Sequence, residues 1–373
     1  MKIYYPKEYK TLLKLGIPIS IGHIGMTLQN VVDNIMVGRH STAELAAAGF
    51  VNSLFILALL LSVGFSQGSI SQIGALYTQN KKRDISEMLK NSIAANFFQG
   101  LFVMLLLAFL YFLLPYMGQP AELLPLMKPY LLIQIFSLPF VFMGSPCKQM
   151  TDSINDTSVS MIATLAANVW NIFFNWVLIY GHLGFPEMGI TGAALATFSS
   201  RFLMLVIYVA VFFLRPKYKE YVGYWKEVSV SREKVGLLAR LGWPIAVQTT
   251  MEAASFTIVV IFIGWFGTNQ LAAHEVMISL SNVVFMAFMG FSNAVAIRVS
   301  NYNGLNDMKG VKDASVAGYE IVVVISAVVS VVIYCFRHEV ALLFTDNGEV
   351  ASIVAACVIP LIIYQLGDGL QCT

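Results

Sequence analysis

The chain has 373 residues, of which 57% are hydrophobic and 12% are charged, and its mean hydropathy is +0.72. Since an ordinary soluble domain carries about 25% charged residues, this composition excludes a soluble enzyme, a disulfide-rich secreted scaffold and a disordered chain. The 23 basic and 21 acidic residues nearly balance, so no nucleic-acid partner is expected. The composition indicates an all-α, polytopic protein whose partner is the lipid bilayer.

Apolar stretches separated by short polar segments predict ten membrane helices, because one span needs about 20 apolar residues. In chain order they cover 11–38, 45–78, 87–114, 124–147, 157–180, 188–214, 236–264, 271–300, 310–336 and 349–373. Proline and glycine residues indicate breaks in the first and the fourth of these helices. We therefore predict a six-helix amino-terminal lobe over 1–214, a cytoplasmic linker over 215–235 and a four-helix lobe over 236–373.

Lysine and arginine residues fall mainly on one side of the predicted membrane. With the N-terminus inside, the inner segments hold 19 of them and the outer loops hold three, while Arg201 lies within a span. Basic residues are enriched in the cytoplasmic segments of membrane proteins. The distribution therefore predicts a multi-pass protein of the cell membrane with a cytoplasmic N-terminus.

The segments on either side of the linker are similar at a constant shift of 226 positions. The motif LLKLGIP matches LLARLGWP, the motif GFS recurs at Gly64 and Gly290, and Asn80 matches Asn306. Six helices per unit would make the two lobes parallel repeats, an organisation in which substrates usually bind between the halves. The duplication therefore indicates a secondary transporter.

The first lobe contains an acidic residue, Asp33, late in a predicted membrane helix (NVVDNIMVG). Ionisable residues in such positions are costly and mark functional sites by default, so Asp33 is a candidate carrier of a proton or ligand of a cation. The alternative is a helix-end residue bonded to the outer loop. Three asparagines follow one stripe of the fifth helix and could form a polar wall that Asp33 faces. The expected polar lining consists of Gln29, Asn168, Asn171, Asn175 and Thr197.

The second lobe has two acidic residues in predicted spans. Glu252 lies in the seventh helix, and Asp368 lies in the tenth, where Tyr364 precedes it by one turn. Because Na⁺ prefers hard oxygen ligands, Glu252 and Asp368 form a candidate Na⁺ site, with a shared proton as the alternative. The motif GFSQG at Gly64 matches a hydrolase pattern, but it lies inside a membrane helix, so no enzyme activity is expected.

The residues resemble the MATE (multidrug and toxic compound extrusion) family, nearest its bacterial NorM-type branch. The resemblance rests on GIPI at Gly16, VVDNIMVGR at Val31, LAAAGF at Leu45 and LGWPIAVQTTME ending at Glu252. It implies two six-helix lobes that export cationic or amphipathic small molecules from the bacterial inner membrane by alternating access. The coupling ion would be Na⁺ or H⁺, no other cofactor is implied, and we expect a monomer.

By position, Asp33 looks like the family's first-helix acid, and Glu252, Asp368 and Tyr364 look like the cation site of the NorM branch. The resemblance likewise assigns Asn171, Asn175 and Thr197 to the polar site of the first lobe. Family members have twelve helices, so we expect the second lobe to lack its last two. Two alternatives remain open. One is a lipid-linked glycan flippase of the same superfamily, which should have a more basic cavity, and the other is a non-transporting truncated fragment.

Overall fold

The computed structural model describes residues 6–118, 120–337, 339 and 348–373, and within these ranges it contains helices and no strand. The predicted all-α fold is confirmed. The first six long helices are α1 (Pro6–His40), α2 (Thr42–Thr78), α3 (Lys82–Leu113), α4 (Leu124–Ser153), α5 (Thr157–Tyr180) and α6 (Gly189–Leu214). The remaining helices are α7 (Pro216–Gly223), α8 (Arg232–Gly264), α9 (Thr268–Gly304), α10 (Met308–Cys335), α11 (Gly348–Ala356) and α12 (Val358–Cys372).

Eight of the described helices are long and apolar enough to cross a bilayer, namely α1 to α6, α9 and α10. Helices α11 and α12 meet the same criterion as a pair and are bent by 52° at Cys357. Pro360 lies in the first turn of α12 and has no N–H, so the helical hydrogen-bond ladder cannot continue unbroken across this point. The predicted tenth span is therefore a bent pair, and α8 occupies the position of the predicted seventh.

Prolines do not interrupt the two helices for which the sequence indicates breaks. Helix α1 runs continuously through Pro18, and α4 runs continuously through Pro139 and Pro146. A membrane helix tolerates proline where neighbouring groups satisfy the freed carbonyl. The expected breaks in these helices are wrong, and among the described helices one pair, α11 with α12, forms a span that is broken and bent.

Residue contacts divide the chain into two units, whose boundaries lie inside α1 and α8. The larger unit covers Gly25–Thr250, in which α5 packs along α6 and α4 packs against α2, α3 and α6. The smaller unit joins the chain up to Ile24 with the chain from Met251 onward, and in it α9 and α10 pack against each other and against α12. The lobes expected from the sequence repeat remain a prediction.

The polar segment after α6 is an ordered part of the larger unit. Tyr218 of α7 is completely buried, and its hydroxyl donates a hydrogen bond to Oδ2 of Asp156 at 2.9 Å. Burial and the neighbouring carboxylate of Asp156 raise the pKa of Tyr218, so this phenol stays neutral and remains a donor. Lys90 Nζ of α3 donates to the carbonyl oxygens of Trp225 at 3.1 Å and Val228 at 2.9 Å.

Glycines allow α2 and α8 to approach closely within the larger unit. A Cβ atom at Gly242 would lie 2.4 Å from the backbone oxygen of Phe65, and one at Gly64 would lie 2.8 Å from Cα of Ala246. Real side chains do not tolerate such distances, so a shift of the backbone would be required. The two glycines therefore fix how close these helices lie.

The smaller unit repeats this arrangement between α1 and α9. A Cβ atom at Gly16 would lie 2.6 Å from the ring of Phe291, and one at Gly290 would lie 2.0 Å from Oγ of Ser20. Each of these residues is related to its counterpart in the larger unit by the same shift of 226 positions. The sequence repeat thus corresponds to repeated helix–helix contacts.

The turns after α2 and α9 also match at this shift. Asn80 and Asn306 both adopt left-handed backbone conformations, with φ of 55° and 56°. In each turn the next residue's N–H bonds a carbonyl five residues back, from Lys81 to Leu76 and from Asp307 to Tyr302. Asparagine tolerates this conformation better than most residues, which explains why both repeats carry it.

Substituting Gly242 with alanine is expected to destabilise the protein, because the added methyl group collides with the backbone of α2. Overpacking of this kind costs about 1–3 kcal/mol, and thermal unfolding of the purified protein in detergent measures it. Gly236→Ala is the matched control on the same helix, since a Cβ atom there meets nothing within 4 Å. Equal melting temperatures for the two variants would contradict the proposed close contact.

Candidate functional site

The carboxylate of Asp33 binds the side chain of Asn175 in α5 and not the loop that follows α1. Asn175 Nδ2 donates a hydrogen bond to Asp33 Oδ1 at 2.6 Å, and Gln29 also forms a side-chain hydrogen bond with Asp33. A carboxylate that accepts two amide donors is held in a defined orientation. The contact joins α1 to α5 inside the larger unit.

A chain of side-chain hydrogen bonds continues from Asp33 across α5 to α6. Asn175 Nδ2 also donates to Asn171 Oδ1 at 3.2 Å, and Asn171 Nδ2 donates to Thr197 Oγ1 at 3.3 Å. Asn171 and Asn175 are completely buried, whereas Asp33 and Thr197 are half-buried. The buried amides therefore hold two partly accessible groups, one at each end of the chain.

The three asparagines of the predicted stripe do not have the same contacts. Asn168 is buried and its Nδ2 lies 3.0 Å from the position of a Cβ atom at Gly25, so it packs against the backbone of α1. Asn175 Oδ1 is buried and has no hydrogen-bond donor among the described residues. A buried acceptor without a donor costs free energy. This acceptor belongs to the same side chain that donates to Asp33.

Sequence reasoning gives little weight to Arg201, which the structure places in the same unit near Asp33. Arg201 Nη1 donates to Gln134 Oε1 at 2.7 Å and also to Ser137 Oγ, and its guanidinium lies 4.7 Å from the ring centroid of Phe55. Arg201 also interacts electrostatically with Asp33. Gln134 and Ser137 are both buried on α4.

Two further polar residues near Arg201 are absent from the predicted site. Tyr130 of α4 donates to Asn52 Oδ1 of α2 at 3.1 Å, and Tyr130 also hydrogen-bonds Gln134. Single amides and tyrosines within apolar helices are common packing residues, so the sequence offers no signal that selects them. Only the packing of α2, α4 and α6 brings them to one place.

In the smaller unit the structure brings together the three residues of the predicted second site. Tyr364 hydrogen-bonds Asp368, and Glu252 lies close enough to interact electrostatically with both. Asp368 is 8% exposed and Tyr364 is 40% exposed, so the carboxylate is the more buried of the two groups. Within the described ranges no group of three or more His, Cys, Asp or Glu side chains is placed to hold a metal ion.

The family model described as MatE matches residues 18–177 and 244–373, which together are most of the chain. This chain belongs to the MatE family. Its members are transporters, so the chain is a membrane transporter and not an enzyme. The first matched segment contains Asp33, Asn171 and Asn175, and the second contains Glu252, Tyr364 and Asp368, whereas Thr197 lies between the two segments.

Curated relatives and solved structures agree with the MatE assignment. The chain is 26% identical over 367 residues to the multidrug resistance protein NorM of Aliivibrio fischeri, and 28% identical over 371 residues to that of Photobacterium profundum. Each alignment covers 98% of this chain and 80% of the relative. The fold matches a crystal structure of a MATE protein in complex with MaD3S, with a TM-score of 0.86 and 22% identity over 98% of this chain and 82% of the other. The eukaryotic MATE transporter AtDTX14 also gives a TM-score of 0.86, at 18% identity over 98% and 81% of the two chains.

This MatE protein also contains a buried ion pair that the sequence does not reveal. Both carboxylate oxygens of Glu8 in α1 accept hydrogen bonds from Arg298 in α9, at 3.0 to 3.1 Å. Tyr302 Oη donates to Glu8 Oε1 at 2.6 Å and accepts from Arg298 Nη2 at 2.7 Å. Only 7% of the Glu8 side chain and 15% of the Arg298 side chain are exposed. The cluster therefore fastens the first turn of α1 inside the smaller unit.

Glu8→Gln is expected to destabilise the protein by about 3 kcal/mol, because the substitution leaves the Arg298 guanidinium buried without its counter-ion. Thermal unfolding measures the effect. The double variant Glu8→Gln with Arg298→Met should lose less stability than the sum of the single variants, since it leaves no unpaired charge. Lys82→Met, in the more exposed pair with Glu220, is the control and should cost less than about 1 kcal/mol. Equal losses at the two pairs would contradict the role of burial.

Proposed function

We propose that this MatE protein is a multidrug exporter of cationic or amphipathic small molecules. We further propose that inward movement of Na⁺ or H⁺ drives export by alternating access. The observation that carries the proposal is the hydrogen-bonded chain from Asp33 through Asn175 and Asn171 to Thr197. The curated relatives, which are named multidrug resistance proteins, support the same class of substrate.

The polar chain of the first site supports a coupling role for Asp33. Binding of a proton or a cation would neutralise the carboxylate and change its hydrogen bond with Asn175. Since Asn175 bridges α1 and α5, a change of charge at Asp33 would alter the contact between these helices. A ligand shifts a conformational equilibrium only through different affinities for the two states, and this contact provides such a difference.

The cluster of Glu252, Asp368 and Tyr364 supports a second cation site in the smaller unit. Two carboxylates and a phenol supply the hard oxygen atoms that Na⁺ prefers. The same two carboxylates could instead share a proton, because neighbouring like charges cannot both ionise freely. Either ion would be transported, so no resident cofactor is part of the proposal.

The location and assembly form part of the same proposal. The distribution of lysine and arginine supports a cytoplasmic N-terminus in the bacterial inner membrane. We further propose that the two sequence repeats are the two lobes of the transporter and that the protein acts as a monomer. Lys7 and Arg39 lie at opposite ends of α1, so cysteines introduced at these positions would test the orientation. A membrane-impermeant thiol reagent added outside the cell should label the cysteine at 39 and not the one at 7.

A second candidate function has a specific observation in its favour. A flippase for lipid-linked glycans needs basic residues that bind the phosphate groups of its substrate, and Arg201 is a basic residue beside the first site. A single arginine facing one carboxylate gives no net positive charge there. We therefore prefer the exporter.

Transport by reconstituted protein tests the proposal. Proteoliposomes loaded with a fluorescent amphipathic cation would be given a Na⁺ gradient, a H⁺ gradient, or neither. We expect one of the two gradients to accelerate movement of the dye against its own concentration gradient. If neither gradient accelerates dye export, the coupled exporter is overturned. Uptake of a lipid-linked glycan would favour the flippase.

A further inference from the structure

Arg201 is an intramembrane charge that the proposed coupling reaction does not use. It lies on α6 one turn after Thr197, at the end of the polar chain that begins at Asp33. Its side chain is half-buried in a helix that is long and apolar enough to span a bilayer. Holding a positive charge at such a position is costly, so a functional explanation is required.

The contacts of Arg201 leave much of its hydrogen-bonding capacity available. Its described hydrogen bonds go to Gln134 and Ser137, and both use Nη1. A guanidinium has five N–H donors in a planar fork, and it commonly binds carboxylates through two parallel hydrogen bonds. The ring of Phe55 also contacts the group, since its centroid lies 4.7 Å from Cζ of Arg201. The structure thus orients a planar donor that still has N–H groups to offer.

Asp33, the acidic residue of the first site, forms no ion pair with Arg201 among the described contacts. Asp33 and Arg201 interact electrostatically, but the described ion pairs include none between them. Asp33 is instead held by Asn175, and Arg201 is held by neutral side chains of α4. The site therefore presents one negative and one positive group, separated from each other and both partly accessible.

Two separated opposite charges select a ligand that carries the complementary pair. A simple cation would be attracted by Asp33 and repelled by Arg201. A molecule with a protonated amine and a carboxylate could satisfy both groups at once, and the carboxylate could use the planar fork of the arginine.

We propose that Arg201 is a specificity-determining residue that binds the anionic group of the transported molecule, so that this protein exports zwitterionic amphipaths in preference to simple cations. The proposal rests on the exporter function argued above and names the substrate class of the same site. Asp33 receives the cationic end of the substrate, and Arg201 receives its carboxylate.

A matched pair of dyes tests the proposal. One is a rhodamine with a free benzoate group, which is zwitterionic at neutral pH, and the other is the methyl ester of the same dye, which is a cation. Binding to the purified protein is measured by fluorescence polarisation, and export is measured in proteoliposomes with the effective ion gradient. The wild-type protein should bind the acid more tightly than the ester.

Arg201→Gln should weaken binding of the acid about tenfold while leaving the ester unchanged or better bound, since one charge-assisted contact is lost. Arg201→Lys keeps the charge without the planar fork and should give an intermediate acid-to-ester ratio. Arg240→Gln, at an exposed arginine of α8, is the control and should match the wild type. Size-exclusion profiles and melting temperatures establish that each variant is folded.

The outcomes separate this inference from the exporter function. An unchanged acid-to-ester ratio in folded Arg201→Gln overturns the inference, as does an equal loss of both dyes, which would indicate that Arg201 only positions α6. If binding of the acid depends on Arg201 but no ion gradient drives export, the coupled exporter is overturned and the binding specificity stands.

Discussion

Replacing Asp33 with asparagine is expected to abolish export. Asparagine keeps the size of the side chain and can still bond with Asn175, but it cannot bind and release a proton or a coupling cation. We expect the initial rate of ion-driven export to fall by about 100-fold or more. This factor corresponds to the upper end of the usual coupling free energies between two sites. The measurement is dye export by proteoliposomes under the ion gradient that drives the wild-type protein.

The controls for Asp33→Asn separate coupling from folding. Glu227→Gln removes an exposed acid that follows α7 and should leave the rate unchanged. Asn175→Ala removes the donor at 2.6 Å and should reduce the rate without abolishing it, because the carboxylate itself remains. Normal ion-driven export by folded Asp33→Asn would remove the first site from the mechanism.

Glu252→Gln is expected to eliminate stimulation of export by Na⁺. The substitution removes one of the two carboxylates near Tyr364 and leaves a neutral amide, which is a weaker ligand for a hard cation. Asp368→Asn should have the same effect, since the two acids act on one ion. Tyr364→Phe should have a smaller effect because the phenol is a neutral partner of Asp368. Initial rates are compared with and without a Na⁺ gradient.

Glu233→Gln is the matched control for this second site. Glu233 lies on the same helix as Glu252 but is exposed, so its replacement should leave the Na⁺ response intact. If Na⁺ stimulation persists in Glu252→Gln, the site does not bind the coupling Na⁺. If the wild type responds only to H⁺ and Glu252→Gln loses that response, the two carboxylates share a proton instead.

Hydropathy locates the helices well because each span must independently satisfy its backbone and match the bilayer. The ends of the helices differ from the prediction for a local reason. Helix α1 begins at Pro6, whereas hydropathy predicts a start at 11. The prediction starts late because Lys7 and Lys10 lower the mean hydropathy of the first turns. Tertiary contact, through Glu8 and Arg298, holds this polar stretch as helix.

The candidate sites show where sequence reasoning succeeds and where it stops. Spacing alone selects Asn171 and Asn175, since helical periodicity places them on one face. It does not specify which side chain that face meets, and the contact of Asn175 with Asp33 joins residues 142 positions apart. The sequence places Arg201 within a span but does not identify its partners, because Gln134 and Ser137 are 67 and 64 positions away in the chain.

By itself the sequence determined the all-α membrane class, the approximate positions of the long helices and the repeat at 226 positions, including paired features such as Asn80 and Asn306. These properties follow from composition and from local turn chemistry, which act over a few residues. Tertiary structure alone decided which polar groups meet, as Arg201 meets Gln134 and Glu8 meets Arg298. Such partners depend on the rotation and depth of each packed helix, which are set by the contacts between helices and not by any single helix.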